Sequence, residues 1–472
     1  MHSTNLVIRQ AIRLRLDFDV RQAQLAARIA GCCRAVSNIA LDQRRWFARP
    51  GRSIGYADQA AQLIALKAEF PWFAEAPHHC LQQALIDLDG AYKRFWSGAA
   101  GAPQPRKHGR DDSFRFPDPT QFTLTGNLRV ADKRRTRSIS QAVLKLPKLG
   151  EVACVLHRAI PAGARMLSVS VTRQADRWFA SVLLERGVQQ PADRSGCAVV
   201  GIDLGVVQPV VLSSGQQYAL PRASAGDAAH LARLQQRVAS KVKGSRNRRK
   251  AIARLAAFKA AQARVRRDAM EKVTTDIAKN HGAVAMEDLR VRGMTASARG
   301  TREEPGRNVA AKAGLNRSML DVAPGALRAR LGYKLAASGG VLLLVPPAYT
   351  SQRCNACGHT QAGNRQSRDA LICVACGHTE DADLNAARNI RDHARGVWGD
   401  AQKVEIANSL AQLLAAQARP KRGFRKKTTG GLPAQACAKR GGLLHAQGRK
   451  RAGATPPSGR QPARSSALQD RE

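Results

Sequence analysis

Apolar and polar positions alternate near the start of the chain, in LVIRQAIRLRLDF (residues 6–18), which predicts a strand with one buried face. The period then lengthens. Leu25, Ile29, Cys32, Val36 and Ile39 recur at intervals of 4-3-4-3, and Leu81, Leu85, Leu88, Tyr92 and Phe95 form a second stripe. Each predicts a helix with a core-facing side, and FPWFAEAP (70–77) between them reads as a packed turn. From about residue 113 to 186 the pattern shortens again into β-rich segments separated by turn residues, such as FTLTGNLRV and MLSVSVTRQADRWFASVLLE. The expectation is a small antiparallel β-barrel over 1–18 and 100–190, with a helical bundle over 19–99 inserted into it.

A polar linker, GVQQPADRSG (187–196), precedes an apolar strand, a Gly turn and a second strand in CAVVGIDLGVVQPVVLSSG. Residues 227–279 predict a long helical hairpin broken near KGSRNRRK, with Leu231, Leu234 and Val238 on one apolar face and Ile252, Leu255 and Phe258 continuing it. GAVAMEDL (282–289) and VLLLVPPAYTS (341–351) are further buried strands around another helix. Strand and helix alternate, which indicates an α/β core and a multidomain chain of mixed α/β and α+β class. After about residue 397 the periodicity is lost. Residues 401–472 hold 15 Lys/Arg against three acids and are rich in small residues, so 397–472 reads as a disordered basic tail.

Charge changes the picture more than length does. The 472 residues carry 77 Lys+Arg against 35 Asp+Glu, a formal net charge of +42. Such an excess attracts polyanions and releases their counterions, so nucleic acid is the expected partner. Residues 231–270 alone hold 13 Lys/Arg and one acid, Asp268, which marks the hairpin as a contact surface. No apolar run is long enough to span a bilayer, and MHSTNLVIRQAIRLRL lacks a signal-peptide core, so no membrane partner and a cytoplasmic, nucleoid-associated location are expected.

Two motifs carry chemistry. CNACGH and CVACGH each contain a Cys-x-x-Cys turn, and 15 residues separate Cys357 from Cys373. Cys354, Cys357, Cys373 and Cys376 can complete a tetrahedral thiolate site, for which zinc is the default ion and disulfides or an iron–sulfur cluster are the alternatives. A closed four-cysteine site leaves no open coordination position, so it is structural. Cys32, Cys33, Cys80, Cys154, Cys197 and Cys437 show no ligand spacing. The second motif is a set of acids at element ends: Asp203 in VVGIDLG, Glu287 in AVAMEDL and Asp383 in EDADLNAARNI. Carboxylates gathered in a phosphate-binding protein need cations, and two Mg²⁺ held by shared carboxylates suit in-line phosphodiester hydrolysis. Spacing alone leaves Asp288, Glu380 and Asp381 as competitors for the second and third acids.

GIDLG, MEDL, YTSQRCNACG with its second knuckle, and DADLNAARNI, in that order, resemble the split RuvC-type core of the transposon-encoded TnpB (OrfB) proteins, related to single-RuvC CRISPR effectors. Upstream stretches such as GCCRAVSNIALD and VLKLPKLGEV extend the resemblance over about residues 8–395. It implies an RNase H-like core over 196–350 and 377–396, a zinc ribbon over 351–376, and Asp203, Glu287 and Asp383 as Mg²⁺-binding catalytic acids in preference to their neighbours. It also implies a transposon-derived guide RNA, a DNA target, and an N-terminal half that grips both RNA and a short motif beside the target. A nuclease-inactive RNA-guided repressor, or a strand-transfer transposase working without a guide, are the alternative activities. Two positions depart from the family: Ala382 stands where Arg is usual, and Glu271 lies where a His is usual.

Overall fold

The computed structural model describes residues 5–47, 54–110, 112–131, 138–157, 159–189, 192–194, 196–301, 303–396 and 405–408. The first alternating segment is strand β1 (Asn5–Asp17). Helices α1 (Val20–Trp46), α2 (Tyr56–Glu69) and α3 (His78–Trp96) follow it. Then come β2 (Ser113–Phe116), β3 (Thr123–Ala131), β4 (Ser138–Leu146), β5 (Gly150–Leu156), β6 (Arg165–Gln174) and β7 (Arg177–Gln189). These seven strands make one antiparallel sheet in the order β2-β6-β7-β1-β5-β4-β3. β1 is its hinge. It pairs with β7 from Asn5 to Leu16 but with β5 only over Arg15–Asp17, so the two halves of the sheet meet along a short seam.

The pleat sends Ile12, Leu14 and Leu16 into a core shared with Ile29 of α1, Leu81 of α3 and Phe116 of β2. The three helices therefore sit in the chain between two strands of the sheet whose core they cover. The helical stripes drift from the expectation. Ile39 is exposed, while Ala40 and Leu41 are buried in its stead. A 3.5-residue stripe slips about 20° per heptad against a straight 3.6-residue helix, and α1 is 27 residues long. Phe95, at the end of the second stripe, is likewise exposed.

The second sheet carries the acids. Its strands are β8 (Val199–Asp203), β9 (Val210–Leu212), β10 (Gln217–Tyr218), β11 (Ala283–Glu287) and β12 (Val341–Val345). Between β10 and β11 lie α4 (Ala225–Ala239) and α5 (Arg246–Asn280), and between β11 and β12 lie α6 (Val291–Met294), α7 (Val309–Val322) and α8 (Pro324–Ala337). A ribbon hairpin, β13 (Ala370–Ile372) and β14 (Thr379–Asp381), leads into α9 (Ala382–Ala394), and β15 (Glu405–Asn408) closes the described chain. The sheet order is β10-β9-β8-β11-β12-β15. β8, β11 and β12 are parallel, and β9, β10 and β15 run antiparallel to their neighbours. The helical excursions are what parallel neighbours require.

Pleat parity decides which helix each strand residue meets. Val200, Ile202, Val284 and Met286 pack with Ile277 of α5 and with Leu327 and Leu331 of α8. Ala285 and Val345 pack with Ile390 of α9 on the opposite face. Gly201 is also on the α9 face, where a Cβ would lie 2.0 Å from the Ala387 carbonyl oxygen and 2.6 Å from the Arg391 nitrogen. Only glycine lets α9 lie this close to β8.

Three expectations change. Glu405–Asn408 belongs to the stretch assigned to the tail but pairs antiparallel with β12, because an edge strand is held by backbone hydrogen bonds that leave no periodic signature over four residues. The rest of the tail, including Cys437, lies outside the described residues. The ribbon runs past Cys376 to Asp381, since β14 is the partner of β13. In the basic hairpin, Ile252 is exposed while Leu255 and Phe258 are half-buried. No helix among the described residues is long and apolar enough to cross a membrane.

Replacing Gly201 with Ala is expected to lower stability in urea unfolding by about 3 kcal/mol, the upper range for overpacking. Gly101→Ala, with nothing within 4 Å of its added Cβ, should stay within about 0.5 kcal/mol of the parent.

Candidate active site and metal centre

The two cysteine knuckles repeat one backbone pattern. In each, the cysteine N–H donates to the histidine carbonyl five residues on, and the glycine N–H donates back to the cysteine carbonyl, all at 2.9 Å. Gly358 and Gly377 take φ of 79° and 72°, the left-handed turn that brings the following histidine carbonyl back to the first cysteine's N–H. The four thiols lie within 4.8 Å of one another. Cys354 and Cys376 are 3.8 Å apart at sulfur, and Cys357 and Cys373 are 3.5 Å apart. A tetrahedron with zinc–sulfur bonds of about 2.3 Å has edges of about 3.8 Å, so the set fits one zinc ion. These separations are far beyond a disulfide bond, and all four thiols are free. Cys32, Cys33, Cys80 and Cys154 are buried in the N-terminal half, away from this set, and Cys197 is exposed.

The three carboxylates come together at the ends of the parallel strands. Asp203 ends β8 and Glu287 ends β11. Ala285 is level with Gly201 and Met286 with Ile202, so Glu287 continues the register beside Asp203 on the α9 face. Asp383 sits in the first turn of α9, and its Oδ2 lies 3.3 Å from the point where a Gly205 Cβ would stand. Burial, then the charges of Glu287 and Asp383, push the Asp203 carboxyl up to about 8. Burial also raises Glu287, opposed by a hydrogen bond from the Thr350 hydroxyl. Asp383 is raised by burial and then by Asp381, while Arg365, 3.9 Å away, opposes the rise. Three carboxyls driven toward neutrality by burial, with Asp203 raised further by the other two, are a donor set suited to hard divalent cations such as Mg²⁺. Their oxygens are spread more widely than the thiols: among the described residues, only the cysteines gather within 4.8 Å.

The competing acids have other work. Asp288 pairs with Arg328 at 2.6 Å. Asp381 is the N-cap of α9, accepting from the N–H groups of Asp383 and Leu384 at 3.0 and 2.9 Å. Glu380 pairs with Arg388 at 2.5 Å. Ala382 is fully buried at the start of α9. Glu271 joins α5 to α8 through Arg330 at 2.7 Å and Lys334 at 2.8 Å. Sequence reading missed Thr350 and Arg365, which touch Glu287 and approach Asp383. It also missed Asn385 and Asn389, buried polar residues that bind the ribbon backbone. Asparagines at i and i+4 inside the otherwise apolar face of DADLNAARNI were the available signal.

Three family models match the chain: "Helix-turn-helix domain" over residues 5–51, "Probable transposase" (OrfB, IS605 type) over 171–298, and "Cas12f1-like, TNB domain" over 325–390. A protein of Escherichia coli K12, provisionally named RNA-guided DNA endonuclease InsQ, is 36% identical over 406 residues, covering 85% of this chain and 96% of its own. The chain belongs to the OrfB (TnpB) family. A second member, from Streptomyces pristinaespiralis and also provisionally named an RNA-guided DNA endonuclease, is 30% identical over 81% of this chain and 89% of its own. A Cas12f1 complex with guide RNA and target DNA, solved by cryo-electron microscopy, aligns over 82% of this chain and 99% of its own at 14% identity. Its TM-score to this chain is 0.39. The helix-turn-helix description does not match the local structure of this OrfB protein, whose described residues there form β1 and the single long helix α1.

Cys373→Ser is expected to reduce bound zinc, read by plasma mass spectrometry, from one per chain to near zero and to expose the 351–381 ribbon to proteolysis. Cys197→Ser should leave both unchanged.

Proposed function

We propose that the protein is a transposon-associated, RNA-guided DNA endonuclease that hydrolyses phosphodiesters at Asp203, Glu287 and Asp383. The observation that carries the reading is the convergence of these acids on one face of the sheet, within a chain of net charge +42. Acids there would repel a phosphate ligand unless cations intervene. Bound as a pair between the carboxylates, Mg²⁺ would supply an activated water and charge stabilisation for the leaving 3′ oxygen. The protein's part is to hold the carboxylates on three separate elements around one point.

The order β10-β9-β8-β11-β12, an antiparallel three-strand meander followed by two parallel strands, supports an RNase H-like (RuvC) core over 196–350 and 382–396, with the four-cysteine ribbon inserted between its last strand and last helix. The N-terminal sheet and its three helices are read as the β-barrel with its inserted helical bundle, the half that holds guide RNA and the motif beside the target. Base pairing would select the sequence, and the protein would recognise duplex shape and backbone. The basic face of α4 and α5 supplies a predominantly positive surface for such a duplex. A carboxyl cluster in which Asp203 is raised by burial and by both of its partners favours a working nuclease over an inactive repressor, because such a cluster is costly without a metal-dependent use.

Asp203→Ala is expected to reduce DNA cutting by roughly a thousandfold or more while leaving RNA and DNA binding within about threefold of the parent. Surviving activity would refute the site. Sequencing the RNA that co-purifies with the chain should return one structured species from the element's end; random cellular RNA, or cutting by RNA-free protein, would favour the unguided transposase.

A further inference from the structure

Thr350 lies just before the first knuckle and is 2% exposed. Its hydroxyl donates to Glu287 Oε1, with the Pro347 carbonyl at 3.2 Å as a weaker competing acceptor. A hydroxyl has one proton, and the carboxylate is the stronger acceptor. Its carbonyl accepts from Asn389 Nδ2 at 2.9 Å, and the same amide reaches the Arg353 carbonyl at 2.7 Å. Asn385, one turn earlier on α9, also donates to Arg353 at 2.8 Å and accepts from the Asn355 N–H at 2.9 Å. Asn385 and Asn389 are essentially fully buried. The preceding residue, Tyr349, adopts φ of 63°, a left-handed conformation uncommon outside glycine, and its carbonyl accepts from the Gln352 and Arg353 N–H groups. The turn is thus fixed from both sides, with the hydroxyl of Thr350 aimed at the second acid.

The geometry points to Thr350 as the positioning residue of Glu287, linking the zinc ribbon and α9 to that carboxylate. This rests on reading Glu287 as a metal-binding acid. The hydroxyl occupies one carboxylate oxygen and restricts rotation of the side chain, which leaves the other oxygen oriented for a divalent cation. Asn389 ties Thr350, and Asn385 the neighbouring Arg353 and Asn355, to the helix that delivers Asp383, so the second and third acids are set relative to one another by a polar chain of defined length. Zinc then contributes to the active site through position alone: it holds Cys354 and Cys357, whose knuckle begins at the Arg353 carbonyl that both asparagines grip.

The test compares Thr350→Val, which keeps the shape and removes the hydroxyl, with Thr350→Ser, which keeps the hydroxyl. Mn²⁺ binding to the full-length, zinc-loaded, nucleic-acid-free chain is followed by electron paramagnetic resonance, with Asp203→Ala as the baseline for binding elsewhere. Thr350→Val should weaken Mn²⁺ binding about tenfold, the usual effect of losing a partner of a metal ligand. Thr350→Ser should stay within about threefold, and zinc should remain at one per chain in both. Cutting by Thr350→Val should recover as metal is raised, and adding Thr350→Val to Glu287→Gln should weaken binding no further. Equal weakening by Val and Ser, or parental binding by Thr350→Val beside impaired Glu287→Gln, overturns the assignment of Thr350 alone. Parental binding and cutting by Glu287→Gln itself overturns the site on which the assignment rests.

Discussion

The contact between α9 and β8 is the constraint on which the site depends. Gly201 has no side chain, so the backbone of Ala387 and Arg391 can lie where a Cβ would otherwise stand. That approach brings the first turn of α9, and with it Asp383, to the end of the strand that terminates in Asp203. The acid is delivered by a rigid helix whose N-terminus is capped by Asp381. Shifting α9 outward by the width of a methyl group would separate the third acid from the other two while leaving all three carboxyl side chains intact. Geometry of this kind is carried by the absence of atoms.

Electrostatics gives the same region its character. The chain is strongly basic, yet its candidate site gathers carboxyls whose ordinary ionisation is opposed by burial and, at Asp203, by the other two. The positive surface and the acidic point are complementary parts of one arrangement. In the proposed reading, basic residues would attract the polyanion by counterion release, and the half-buried acids would hold the cations that make a phosphate tolerable at close range. The surface contribution is screened by salt, whereas interactions among the half-buried carboxyls are screened much less.

The ribbon plays a third part. Its four thiols are spaced for one zinc ion and leave no open position, so its influence on chemistry can only be mechanical. Buried asparagines convert that mechanical order into alignment, because each uses directional hydrogen bonds to fix the ribbon's backbone against α9. A fully satisfied polar network inside a core is intolerant of displacement, which suits a segment inserted between the strand and the helix that bear on the site.

Local order in the sequence was enough for several features. The knuckles, the alternation of β1, the helices around residues 20–96, the basic hairpin and the strand-end acids all follow from spacing or from charge counted along the chain. The family resemblance selected Glu287 and Asp383. What the sequence could not decide were matters of relative placement. Alternation left Glu287 and Asp288 equivalent; the register of β11 on β8 turned one toward Asp203 and left the other to Arg328. Glu405–Asn408 carries too few residues for a period and is a strand only because β12 offers it an unpaired edge. The roles of Gly201, Thr350 and Asn389 arise between residues far apart in the chain. The sequence by itself determined which groups could ligate metal and which surface would attract nucleic acid, since those follow from residue chemistry. The tertiary structure decided which acids face one another and what holds them there, since direction and distance exist only after the elements have packed.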